Sequence, residues 1–186
     1  MMAASYFSQA VRRPHRTEGK GVNDIEELGL VRVDDRLIHG QVIAVWCKHH
    51  RFTRIVIVDD GVAADPFMQE VLKLAAPPDL QVDVFSIEES IKALSQDTPD
   101  RGTMMVLLKS PLAAKRLYDG GLKYSALNVG GIGSGPGRKN VFKNISASGE
   151  EIAILRYLMD KGVKITLLTV PGERSKAFSD LVGKGH

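Results

Sequence analysis

The run Asp34-Asp35-Arg36-Leu37-Ile38-His39-Gly40 puts two carboxylates, a guanidinium and an imidazole within seven consecutive residues. His39 is the titratable nucleophile of the set. A neutral imidazole nitrogen is a competent phosphoryl acceptor, and a carboxylate or carbonyl fixes its tautomer from the other side of the ring. Arg36 supplies a planar fork that holds phosphate oxygens in pairs. Gly40 opens a helix, whose first backbone N–H groups favour an anion. The cluster suits a transient negative group such as phosphate. Asp34, nearer the preceding strand, is expected to be the buried, orienting carboxylate, and Asp35 a solvated bystander. Plainer readings exist for both side chains. A lone histidine more often caps or packs a turn, and Arg36 can form a surface pair with Asp35.

Other motifs have less chemical content. Asn128-Val-Gly-Gly-Ile-Gly-Ser-Gly-Pro-Gly-Arg138 is a glycine-rich loop after a strand. Pro136 breaks the dinucleotide-binding frame that starts at Gly131, and no Gly-Lys-Ser/Thr ending follows. The loop is either a flexible connection or a place where a partner backbone approaches closely, with Gly131 and Gly133 in it and Arg138 at its rim. Lys109 and Ser110 follow another strand; Ser110 reads first as a helix cap, and both can also serve a phosphate. Asp59-Asp60-Gly61 reads as a turn. His49 and His50, at a helix end beside Lys48 and Arg51, complement the helix dipole. No His/Cys/carboxylate cluster has metal-ligand spacing.

The elements that must position these residues alternate. Strands are expected at Leu30–Asp34, Arg54–Asp59, Leu80–Phe85, Thr103–Lys109, Ala126–Val129, Val141–Ser146 and Val163–Val170. Runs such as Ile55-Val56-Ile57-Val58 and Met104-Met105-Val106-Leu107-Leu108 suit strands buried on both faces. Gly40–Arg51 is expected to be the first helix. Asp65-Pro66 starts a second, with Phe67, Val71 and Leu74 on one face, and Pro77-Pro78 ends it. Ser86/Glu89 and Ser148/Glu151 are capping boxes. Ser110-Pro111 starts a helix that stops at Gly120-Gly121. Pro171–Val182 is expected to form a short terminal helix. The fold class is therefore α/β: one open, mostly parallel, twisted sheet of about seven strands with helices on both faces. Ligands of such sheets bind beyond the carboxyl ends of strands. If the first and fourth strands are neighbours, His39, Lys109 and Ser110 converge on one crevice.

Composition narrows the classes. The chain has 186 residues, 44% hydrophobic and 25% charged, which suits one globular domain. Its 25 basic and 22 acidic residues are interspersed, so no nucleic-acid footprint stands out. No apolar run reaches membrane-spanning length. The single cysteine, Cys47, excludes an intrachain disulfide, is expected to be a buried inert thiol, and fits a reducing cytoplasm. Residues 1–29 lack periodicity and the apolar core of a signal peptide. They are expected to be a poorly ordered extension ahead of a domain spanning residues 30–186.

The stretch Arg32-Val-Asp-Asp-Arg-Leu-Ile-His-Gly-Gln41 resembles the phosphorylation-site motif of the IIB subunits of the mannose/fructose/sorbose family of the bacterial sugar phosphotransferase system. The likeness continues through Val58-Asp-Asp-Gly-Val-Ala-Ala-Asp65, Lys73-Leu-Ala-Ala-Pro-Pro78, Leu108-Lys-Ser-Pro111, Gly120-Gly-Leu122, Asn128-Val-Gly-Gly131, Gly137-Arg138 and Val170-Pro171. The resemblance implies a cytoplasmic phosphotransferase that works at the inner face of the membrane. His39, on Nδ1, would take a phosphoryl group from the phosphohistidine of a separate IIA protein. It would pass the group to a sugar imported through membrane subunits IIC and IID. Asp34 and Arg36 would orient the site and bind phosphate. Homo-oligomers are common in the family, and no metal, nucleotide or nucleic acid is required. Sugar choice lies mainly in the membrane subunits. Three features depart from the family: Ser110 where asparagine is common, Gly133-Ser-Gly-Pro136 in place of a variable, bulkier loop, and the N-terminal extension. A rival reading is a non-catalytic α/β module that binds a phosphorylated small molecule in the same crevice. A nucleotide-dependent kinase is disfavoured by the failed P-loop match.

Overall fold

A computed structural model describes residues 29–95 and 103–183. The expected N-terminal extension lies, except for Gly29, outside the described residues. Strands β1 (Leu30–Val33), β2 (Arg54–Val58), β3 (Gln81–Phe85), β4 (Met104–Leu108), β5 (Ala126–Val129), β8 (Lys164–Leu167) and β9 (Lys176–Ala177) form one seven-stranded sheet in the order β3-β2-β4-β1-β5-β8-β9. All pairs are parallel except β8 with β9. β4 is buried at all five positions, as its unbroken apolar run requires. Alternation along β2 and β4 divides the core into two layers. Val56, Val58, Met104, Val106 and Leu108 pack with Ala114, Leu117, Leu155 and Leu158 on one face. Ile55, Ile57, Met105 and Leu107 pack with Val42, Trp46, Val62 and Leu72 on the other.

The helices follow the caps that announce them. Asp65 accepts from the Met68 N–H at the start of α3 (Pro66–Leu74), Ser110 from the Ala113 N–H at the start of α5 (Pro111–Asp119). Both capping boxes form, ahead of α4 (Ile87–Ser95) and α6 (Gly149–Asp160). The first helix, α1, covers residues 40–50. Within it Val42–Cys47 forms a π-helical turn and Lys48–His50 is α-helical. Asp59 caps a short helix, α2 (Asp60–Ala63), where the sequence suggests only a turn.

Two expectations need correction. Val141–Ser146 is not a strand of the main sheet. It is split between β6 (Lys139–Phe142) and β7 (Ile145–Ala147), which pair as a separate antiparallel hairpin. Lys143, at φ 48°, turns the chain between them. Pro171–Val182 is not one helix. It holds β9, which extends the sheet, and only Ser179–Val182 is helical, as α7. In α3, Phe67, Val71 and Leu74 do share one face, which is turned to solvent, and Leu72 makes the core contact.

Candidate active site at the carboxyl end of β1

β1 lies between β4 and β5, so the loop that follows it meets the loops that follow both neighbours. The ladder runs on past the strand ends: Asp34 N–H bonds to the Leu108 carbonyl at 2.9 Å, Gly130 N–H to Val33 at 2.8 Å and Asp35 N–H to Gly131 at 2.8 Å. The chain then turns sharply, with Leu37 N–H returning to the Asp34 carbonyl and Leu37 in the left-handed region at φ 56°. That conformation costs a non-glycine residue about 1–2 kcal/mol. Burial of the Leu37 side chain offsets it. His39 then caps α1, its carbonyl accepting from the Ile43 N–H.

Asp34 is the hub. Its side chain is fully buried, and its Oδ2 accepts from Arg32 Nη2 at 2.8 Å and lies 3.3 Å from His39 Nε2. Its Oδ1 accepts from Arg36 Nε at 3.2 Å, and the Gly131 N–H donates to Oδ2. Burial alone would raise its pKa. The charge of Arg32 and the hydrogen bonds from Arg36, Arg32 and His39 outweigh that and hold it below the ordinary carboxylate value. Asp34 is thus ionised and oriented, as the sequence suggests. The Arg36 side chain is 43% exposed, and it pairs with Asp34 rather than Asp35.

Arg32 escapes sequence reasoning as a site residue. It is fully buried and donates to Asn128 Oδ1, to Asp34, and to the Leu168 and Thr169 carbonyls. Its guanidinium carbon lies 4.4 Å from the centre of the Trp46 ring, and Trp46 Nε1 donates to the same Thr169 carbonyl. Burial lowers the Arg32 pKa and the Asp34 charge opposes that. The available signal is a cation in the middle of Leu30-Val-Arg-Val33, where a buried strand has no place for one without a fixed counter-charge.

The glycine-rich loop is not a slack connection. A Cβ at Gly130 would collide with the Arg32 guanidinium, and one at Gly131 would lie 2.8 Å from both Arg36 Nη2 and Asp34 Oδ1. Ile132 bridges to Ile145, and Gly133 N–H donates to Asp35 Oδ2 at 2.7 Å. Asp35 is therefore a loop anchor, not the bystander expected. Arg138 forks onto Glu151 at 2.7 and 3.0 Å and donates to the Gly133 carbonyl at 3.1 Å, tying the loop to the capping box of α6.

The expected convergence of Lys109 and Ser110 holds only in part. β1 and β4 are neighbours, and Lys109 lines a hollow of about 330 Å3 with Asp35, Arg36 and Leu37, though His39 is not among the residues lining it. Ser110 faces a different hollow, with Gly135, Pro136 and Arg138, and its hydroxyl is committed to capping α5. The reason is the strand period: consecutive residues leave a strand end toward opposite faces. Cys47 is buried with its thiol pushed up to about 11, which keeps it protonated. Among the described residues no group of three or more His, Cys, Asp or Glu could hold a metal ion.

The family described as PTS system sorbose subfamily IIB component matches residues 28–186. The sorbose-specific EIIB component of Lacticaseibacillus casei is 34% identical over 155 residues, 83% of this chain and 93% of that protein. The mannose-specific EIIAB component of Escherichia coli K12 is 32% identical over 171 residues, 92% of this chain; the chain spans only 53% of that protein's length. The crystal structure of manxB from Thermoanaerobacter tengcongensis superposes with a TM-score of 0.76 at 37% identity, over 83% of this chain and 94% of that one. The IIBSor domain of the sorbose permease of Klebsiella pneumoniae gives 0.76 at 33% identity, over 85% and 97%. A buried Asp34 hub, a histidine at a helix start and an open parallel sheet thus coincide with a match over most of the chain, and the chain belongs to the sorbose subfamily of PTS system IIB components.

Proposed function

We propose that residues 30–186 are a phosphoryl carrier in which His39 Nδ1 accepts a phosphoryl group from the phosphohistidine of a IIA partner. The group then goes to a sugar handled by membrane IIC and IID subunits, at the cytoplasmic face. The observation behind this reading is the contact between His39 Nε2 and Asp34 Oδ2 at 3.3 Å. An ionised carboxylate there keeps the proton on Nε2 and leaves the Nδ1 lone pair for attack. As the new N–P bond forms, the donor's N–P bond breaks and its electrons return to the donor ring. The positive charge that appears on the His39 ring faces Asp34, so no proton has to move during transfer. Arg36 and the helix-start N–H groups at Gly40 offset the phosphate charge. Lys109 adds a cation at the rim, and Gly131 lets the glycine-rich loop close on Asp34 and Arg36 without a clash. The remaining rate enhancement comes from docking two protein surfaces with the nitrogen and phosphorus in line.

The test supplies phosphoenolpyruvate and the phosphoryl-relay proteins, and measures acid-labile phosphate on the chain. The unmodified protein becomes labelled and His39→Gln does not; equal labelling of the variant would sink the assignment. Self-association, which the family resemblance also suggests, is checked by light scattering over a range of concentrations. No helix among the described residues is long and apolar enough to cross a membrane.

A further inference from the structure

Five large apolar side chains are markedly exposed among the described residues: Phe67 (75%), Met68 (39%), Val71 (42%), Leu74 (82%) and Leu112 (49%). Single exposed apolar residues need no explanation, but a cluster does. Four of these five sit on the nine-residue helix α3, and Phe67, Val71 and Leu74 recur at the spacing of one helical face. The fold does not use this face. Leu72 anchors α3 to the core, and Asp65 and Pro66 define its start.

The patch meets the candidate site at Met68. Met68 and Leu72 of α3 line the same hollow as Asp35, Arg36, Leu37 and Lys109. Leu112, the fifth exposed residue, lines the hollow on the other side of Lys109-Ser110, together with Gly135, Pro136 and Arg138. The start of α3 and Leu112 therefore flank these loops, and Leu74 lies two turns further along the helix.

We propose that the α3 face is the docking surface for the phosphohistidine donor, with Phe67 and Leu74 as its anchors. The proposal rests on the reading of His39 as phosphoryl acceptor. In transfer between two histidines one phosphorus is shared by two imidazoles, so the protein surfaces around both rings meet. A donor that reaches His39 covers what lies beside it. Its anionic phosphoryl group arrives where Arg36 and Lys109 supply positive charge, and its apolar rim meets α3. A small patch with an aromatic anchor suits a partner that leaves after each transfer.

The test compares the unmodified chain with the double variant Phe67→Ser/Leu74→Ser, whose positions are too exposed to endanger folding. Each is phosphorylated in two ways: by a sorbose-type IIA protein carrying phosphohistidine, and by phosphoramidate, which needs no docking surface. The variant is expected to lose at least about tenfold in kcat/KM with the protein donor, mainly through KM. Labelling by phosphoramidate stays unchanged, and so does the particle size in light scattering. An unchanged rate with the protein donor overturns the proposal. So does a change of oligomeric state, which would make α3 a self-association face. Normal charging followed by failure to phosphorylate sugar in vesicles bearing IIC and IID would overturn it too, and would assign the face to the membrane partner. If neither donor labels the unmodified chain at His39, the carrier reading itself fails, and the docking proposal fails with it.

Discussion

Arg32 and Arg36 bind the same carboxylate from opposite environments. Arg32 is fully buried, and its guanidinium is held by Asn128, Asp34 and two backbone carbonyls under the Trp46 ring. Arg36 is 43% exposed, and its other side-chain partner is Gln41 at 3.5 Å. Four residues apart on one strand end, identical groups acquire different duties from burial alone. The inner arginine keeps Asp34 ionised and still. The outer one holds Asp34 more loosely, at 3.2 and 3.4 Å, and keeps its fork open to solvent.

Breaking the inner half of this pair has the largest expected effect. Arg32→Met leaves Asp34 as a buried charge without its closest counter-ion and destabilises the protein by about 3–5 kcal/mol, measured by denaturant unfolding. Arg36→Ala reverses the balance. Stability changes by less than about 1 kcal/mol. Phosphoryl transfer to His39 falls on the order of 10²-fold, read by quenched-flow labelling. Glycine substitutions sharpen the contrast: Gly130→Ala presses on Arg32 and costs about 1–3 kcal/mol of stability, whereas Gly133→Ala has room, its Cβ meeting Asp35 at 3.4 Å, and stays near neutral. The smallest effect is on pH. The Asp34 pKa is lowered on folding, so its ionised form adds stability that is complete above about pH 4 and is lost as the pH falls through the lower folded value. Thermal melts between neutral and acid pH should show this loss in the unmodified chain, and less of it in Asp34→Asn.

The sequence discloses the outer half of the site better than the inner half. Asp34, Arg36, His39 and Gly40 are adjacent in the chain, so local order alone brings them together. The capping residues Asp65, Ser110 and Ser148 are equally local, and each forms the bond its type suggests. Arg32 gains its role from Asn128, Leu168 and Thr169, 96 to 137 residues away, and strand pairing is what delivers them. A separation of 98 residues likewise hides the tie between Asp35 and Gly133. The single strand expected at Val141–Ser146 fails for a local reason. Periodicity cannot register a reversal at Lys143, where the left-handed backbone is carried by a residue that seldom adopts it. For α3, periodicity finds the stripe and is silent on which way the helix is rolled.

The π-helical turn at Val42–Cys47 sets the angular phase of α1. A wide turn of this kind adds a residue without lengthening the contact it spans. His39 at the helix mouth and Trp46 within the wide turn are thereby clocked so that one meets Asp34 while the other covers Arg32 and reaches Thr169. Removing one residue between Gln41 and Val45 would let the wide turn collapse to ordinary winding, with the residues on either side keeping their faces. Trp46 would then still cover Arg32 while His39 still met Asp34. The wide turn is thus where this segment takes up a one-residue difference in length.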